Sequence, residues 1–275
     1  MNSLKRLYRF FRGCFQSASI RFYQHKINSF NSVSAVNYPL FSVIIPVYDR
    51  TQELREAIDS ILAQTFVNFE LLLVCDGSPR ETVEVVRSYS DNPHVKSFFF
   101  QENSGTPCRG RNQGIAMAAG KIIAFLDSDD IALPYRLERT LFHLLSKKID
   151  VVGGAIEYLT EEGGCRGFEN GQIGFTTQEC TYDLFLQGNR LSICTVAVKK
   201  KCLEQFGAFR KEMRYREDHE LWLRLAYCGC TFYNSPEIFA KYRVHDRNAE
   251  LTYLENDVHW QEMALSLHRN GCELR

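Results

Sequence analysis

The chain has 275 residues, 45% of them hydrophobic, and Lys+Arg and Asp+Glu balance at 33 each. That is enough apolar material for one α/β domain with an appendage, and the neutral balance gives no reason to expect nucleic acid or another acidic polymer as a partner. No apolar run approaches the roughly 20 residues that span a bilayer. The ten cysteines include no C-x-x-C pair, which speaks against zinc and for reduced thiols in a cytoplasmic protein.

Residues 1–40 read as a basic, aromatic extension. The first acidic residue is Asp49, and Lys5, Arg6, Arg9, Arg12, Arg21 and Lys26 precede it. As a helix, LKRLYRFFRGCF would carry an aromatic surface edged with positive charge, suited to peripheral contact with the inner face of a membrane through residues 1–30. The plain alternative is an extension packed on its own domain, or a disordered end. SFNSVSAVNYP reads as a linker.

From Phe41 the pattern becomes regular. FSVIIPV suits a strand buried on both faces, and the following segment places Leu54, Ile58, Ile61 and Leu62 at helical spacing. FELLLVC is a second strand. In DGSPRETVEVVRSYS, Ser78 predicts an N-cap, Pro79 the first helical position and Glu81 a capping box. VKSFFF is a third strand. Residues 109–119 predict a helix closed by Gly120 as C-cap. KIIAFL is a fourth strand, and Pro134 opens PYRLERTLFHLLSKK as a helix. Alternating strands and helices imply a doubly wound, mostly parallel sheet flanked by helices.

Ligands in such sheets bind beyond the carboxyl ends of the strands. Asp49 follows strand one, Asp76 strand two, and Asp127, Asp129 and Asp130 follow strand four, in FLDSDDIALP. Two carboxylates about 4 Å apart repel by roughly 4 kcal/mol at an effective dielectric of 20. Either these side chains splay into water and helix caps, or a hard divalent ion such as Mg²⁺ or Mn²⁺ holds them beside phosphate oxygens. A carboxylate at Asp76 only accepts hydrogen bonds, so it favours a base with a ring N–H, uracil among them; otherwise D-G-S is a simple turn. Tyr48 is placed to stack on a base, or is a half-buried core aromatic.

These segments resemble glycosyltransferase family 2, an inverting family with the GT-A fold. The similarity lies in "FSVIIPVYDRTQELREAIDSILAQTFVNFELLLVCDGS", "NSGTPCRGRNQGIAMAAGKIIAFLDSDDIALP" and "FGAFRKEMRYREDHELWLRLA", over roughly residues 41–245. The resemblance implies that Pro46, Tyr48 and Asp76 cradle the nucleoside, and that Arg111 and Asn112 lie near the nucleotide. It implies that Asp127 and Asp129 form the D-x-D pair, with Asp129 the metal ligand, and that Asp218 is the catalytic base, with Glu217 beside it. His245, in "YRVHDRN", would approach the diphosphate or its metal, as would Arg243. Cys75, Asp49 and Gly110 depart from the family's common Asp, Asn and Ala.

The expected partners are then a nucleoside-diphosphate sugar, favouring UDP, and a glycan, lipid-linked or protein acceptor, in polysaccharide or glycoconjugate synthesis. The expected layout is a 41–135 nucleotide-sugar half, a 136–250 acceptor half and a 251–275 helical tail. EEGGCRGFENGQIGF predicts a mobile loop or hairpin that sets acceptor specificity. Two rival readings remain: a D-x-D phosphohydrolase, whose aspartates would follow the first strand rather than the fourth, and a nonenzymatic nucleotide-sugar-binding scaffold.

Overall fold

The computed structural model describes residues 18–31, 39–160, 167–245 and 257–272. The expected interfacial segment LKRLYRFFRGCF lies outside them. Among them are nine strands in one sheet, ordered β3-β2-β1-β4-β8-β6-β9-β5, where β5 is the two-residue Ile131–Ala132, with β7 paired to β6. The first half is β1 (Phe41–Val47), β2 (Phe69–Asp76), β3 (Val95–Phe100) and β4 (Ile122–Phe125), and every pair within it is parallel. Their β-branched and aliphatic runs are buried throughout β1, β2 and β4 apart from half-buried Pro46, as strands covered by helices on both faces must be. The second half joins through antiparallel β8 (Ala197–Lys199), which lies between β4 and β6 (Val151–Leu159). The 12-residue β9 (Phe232–Arg243) then runs parallel to β6, so β4, β6 and β9 all end at the same edge.

The helices cover this sheet. Going along the chain they are α1 (Ala18–Asn31), α2 (Gln52–Leu62), α3 (Arg80–Arg87), α4 (Pro107–Met117), α5 (Arg136–Ser146), α6 (Tyr182–Gln187), α7 (Lys200–Phe206), α8 (Glu217–Tyr227) and α9 (Asp257–Cys272). Two apolar clusters form, one on each side of the strands. One joins Val43, Ile45, Leu71 and Leu73 to α2 and α5; the other joins Ile44, Leu72 and Ile123 to α4 and α8. The odd and even positions of β1 thus point to opposite cores. Part of the expected N-terminal extension belongs to the first cluster. Ile27 of α1 is 1% exposed, Tyr23 packs edge-on to Phe142, and Gln24 donates to Glu138 at 3.1 Å.

Three helices differ at their ends from the sequence reading. Ser78 caps nothing; its hydroxyl donates to the Val47 carbonyl at 3.0 Å, and Pro79 itself occupies the N-cap of α3. α4 starts at Pro107, where the Thr106 hydroxyl accepts from the Cys108 N–H, and it ends at Met117. Gly120 is therefore no C-cap. A Cβ there would lie 2.7 Å from the backbone of Phe41 and Ser42, so the glycine is required by close packing against the start of β1. α5 begins two residues after Pro134. The expected hairpin is present in part, since β7 (Ile173–Gly174) pairs with β6.

Candidate active site

A cleft of about 820 Å³ opens at the carboxyl edge of the sheet, within the usual size range of small-ligand sites. Pro46, Tyr48, Asp76, Arg111, Asp127, Asp129 and Asp218 all line it. His245 reaches it through a contact with Asp129. The strands dictate this convergence: Asp76 is the last residue of β2, Tyr48 follows β1, Asp127 lies two residues past β4 and His245 two past β9.

The nucleoside side is built around Asp76, 6% exposed. Ser104 donates to its Oδ2 from both its N–H (3.1 Å) and its hydroxyl (2.6 Å), and Arg109 pairs with Oδ1. The Arg109 guanidinium also lies over the Phe100 ring, 4.1 Å from its centroid. Gly77, at φ +66°, lets the chain turn away, and a Cβ there would overlap the backbone of Asn103. Tyr48 lines the cleft and is 45% exposed there.

Arg111 is 2% exposed, and its guanidinium reaches Glu217, 106 residues further along the chain. Nη2 donates to Asp127 at 2.7 Å and Nη1 to Glu217 at 2.5 Å. A charge buried this deeply is tolerable only when paired, and here it has two carboxylates. Arg111 thereby fixes the end of β4 against the start of α8, with one bond from each of its terminal nitrogens.

Asp129 accepts at Oδ2 from His245 Nε2 at 2.9 Å, and the same nitrogen lies 2.9 Å from Arg50 Nη2. Arg50 is itself 3.6 Å from Asp129. Neighbouring ligands of an octahedral ion at about 2.1 Å stand about 3 Å apart. The Asp129–His245 pair has the spacing of two neighbouring ligands on a divalent cation, and the Arg50 guanidinium supplies positive charge against both. Asp130 differs. It is 1% exposed and accepts the Arg243 N–H at 2.9 Å, while Arg243 Nε donates to the Asp129 carbonyl at 2.9 Å. Burial, then the charges of Asp129 and Asp127, hold the Asp130 carboxyl well above the usual range. It ties the D-x-D turn to β9.

Asp218 lies in the first turn of α8, where the helix dipole favours a carboxylate. Asn189 donates to its Oδ2 at 2.8 Å and the His219 N–H to its Oδ1 at 2.7 Å. Burial nevertheless pushes Asp218 above the ordinary value, against the opposing charge of Arg111. Burial likewise raises Glu217. The residue before them, Arg216, adopts a left-handed backbone (φ 57°), which costs a non-glycine residue about 1–2 kcal/mol. Its side chain grips Asp257 of α9 through two bonds of 2.5 and 2.6 Å. His219 is fully buried, and its Nε2 donates to the Phe185 carbonyl at 2.6 Å. Trp222 is core, 0% exposed.

Sequence reasoning missed Arg50, Arg109, Asn189 and Arg216. Arg50 and Arg109 adjoin motif residues, which was a usable signal. Asn189 sits in a segment without motif, and only the fold brings it to Asp218.

The model of glycosyl transferase family 2 matches residues 42–191. An uncharacterized glycosyltransferase of Rickettsia typhi is 30% identical over 219 residues, covering 78% of this chain and 67% of its own length. Another, of Haemophilus influenzae, is 34% identical over 170 residues, covering 62% of this chain and 66% of its own. Among solved structures, residues 1–349 of S. aureus TarS in complex with UDP match with a TM-score of 0.63 at 24% identity, over 78% of this chain. This chain spans 62% of that TarS fragment. The mannosyltransferase PcManGT from Pyrobaculum calidifontis, in complex with GDP-Man and Mn²⁺, matches with a TM-score of 0.62 at 17% identity, over 91% of this chain and 72% of its own. The fold is thus of the GT-A type.

Proposed function

The chain belongs to glycosyl transferase family 2, and from that premise we propose that it moves a sugar from a nucleoside-diphosphate sugar to an acceptor hydroxyl, with inversion at the anomeric carbon. One observation carries the reading: Asp76, Asp129 and Asp218, distant in sequence, line a single cleft. UDP is the favoured donor nucleotide. Asp76 places a carboxylate, held by Ser104 and Arg109, at the cleft wall beside Tyr48, whose exposed ring supplies a stacking face. TarS, solved with UDP-GlcNAc, shares the fold.

Asp129 and His245 would hold Mn²⁺ or Mg²⁺, and that ion would neutralise charge on the diphosphate. Arg50 adds a fixed positive charge beside them. Asp218 takes the proton of the acceptor hydroxyl as the new bond forms, on the face opposite the departing diphosphate. Burial raises its pKa, which makes it a better base than a solvated aspartate. Asn189 aims it, and Arg111 fixes its helix relative to the metal-binding turn.

The acceptor is a glycan, a lipid-linked sugar or a protein, reached from the side of the cleft lined by Tyr158, Phe175 and Tyr242. Contact of residues 1–30 with the inner face of a membrane would deliver a lipid-linked acceptor. No helix among the described residues is long and apolar enough to cross a bilayer. The test is a panel of nucleotide sugars with Mg²⁺ or Mn²⁺, followed by nucleoside diphosphate release. Release from a UDP-sugar that requires both cation and Asp129 supports the reading; phosphate release from monoesters without it supports a phosphohydrolase.

A further inference from the structure

The three aspartates do not exhaust the clustered ligand atoms of this fold. Asp150, Cys202 and Cys230 place a carboxylate oxygen and two sulfurs within 4.8 Å of one another. They come from the residue before β6, the first turn of α7 and the residue two before β9. Ile122, at the start of β4, pairs with Lys199, just ahead of α7. Asp127 lies past the other end of β4, so this cluster occupies the sheet edge opposite the nucleotide cleft.

The backbone fixes the cluster. The Asp150 N–H donates to the Thr231 carbonyl and the Lys199 N–H to the Asp150 carbonyl, each at 3.0 Å. Thr231 also donates to Asp150 Oδ2 from its N–H (3.2 Å) and its hydroxyl (3.1 Å). Cys202 is 4% exposed and hydrogen-bonds Cys230, which is half-buried. Lys199 and Lys201 lie 3.1 and 3.8 Å from Asp150 Oδ1.

We propose that Asp150, Cys202 and Cys230 form a thiolate-rich Zn²⁺ site, with solvent as fourth ligand. Sulfur ligands at about 2.3 Å in a tetrahedral zinc site stand about 3.8 Å apart, which the cluster's spacing accommodates. Two thiolates select a soft or borderline ion over Mg²⁺. Two thiolates and a carboxylate overbalance a divalent ion by one negative charge, and the flanking lysines offset it. Both thiols release their protons on binding. The site would clamp β6, α7 and β9 together at the base of the acceptor half. The missing C-x-x-C spacing hid it, because its ligands come from three separate segments.

The test is metal content per chain after loading with Zn²⁺ and washing with a weak chelator, made in a D129N background so that the cleft cation does not contribute. One retained zinc is expected, at least tenfold weaker in C202S and in C230S, weakened in D150N and unchanged in C228S. Co²⁺ loading of the otherwise unchanged chain should give thiolate-to-cobalt charge-transfer absorption, lost in C202S. Thermal melts of metal-free parent and variants establish that each is folded. Equal zinc retention in parent, C202S and C230S overturns the proposal. So does a reduced parent that retains no zinc and shows no charge-transfer band.

Discussion

Asp129 Oδ2 and His245 Nε2 lie 2.9 Å apart across 116 residues of sequence. One follows β4 and the other β9, and the bond from the Arg243 N–H to the Asp130 carboxylate holds the two segments together. If they share a cation, D129N should abolish metal-dependent transfer. H245A should weaken Mn²⁺ activation by at least about tenfold, the scale on which even outer partners of a metal ligand count. Titrating activity against Mn²⁺ checks both.

Asp218 should behave as the base. D218N is expected to lower kcat by about 10²–10⁴-fold while leaving UDP affinity near the parent value. Transfer requires the ionised carboxylate, so rate rises with pH through its pKa. Burial raises that pKa, which puts the acid limb above the ordinary aspartate range. The Asn189 bond opposes the rise, so N189A should move the limb further toward alkaline pH and lower kcat more than it changes donor KM. A pH profile of kcat/KM for the two proteins decides this.

Arg111 should matter to stability as well as to rate. R111M leaves Asp127 and Glu217 without their partner in a buried setting and is expected to cost about 3–5 kcal/mol. R111K should rescue little, because one ammonium cannot span both carboxylates as the guanidinium does. Denaturant melts of the three proteins test this.

Glu237, on the far side of the sheet, predicts acid sensitivity. Burial would raise its carboxyl, but bonds to His143 and Arg139 outweigh burial and hold it at about 2. Burial pushes His143 below its ordinary value, so Arg139, 2.6 and 2.7 Å from the two oxygens, supplies the charge. The folded pKa is depressed, so this contribution is present above about 4.5 and is lost as pH falls toward about 2. It amounts to about 1–3 kcal/mol. The stability gap between parent and E237Q should therefore be full at pH 6 and shrink through that window.

The nucleotide half was legible because its strands are short apolar runs between helix-period segments. A doubly wound sheet then puts Tyr48, Asp76 and Asp127 at one edge by topology alone. Helix ends were less legible. The Ser78 hydroxyl can bond either its own helix or a neighbouring strand, and Val47 offered the better acceptor. Gly120 serves the packing of Phe41 and Ser42, a contact 78 residues back in the chain that no local pattern encodes. Arg111 was assigned to the nucleotide from its motif, while its partners, Asp127 and Glu217, meet it only in three dimensions. Asn189, Arg216 and the Asp150–Cys202–Cys230 cluster were hidden for the same reason.

The most direct measurement is calorimetric titration of UDP into the parent chain and D129N, each with and without Mn²⁺. The account predicts tight, cation-dependent binding to the parent and weak binding, indifferent to the cation, in the variant. UDP binding of equal strength in all four titrations would contradict it.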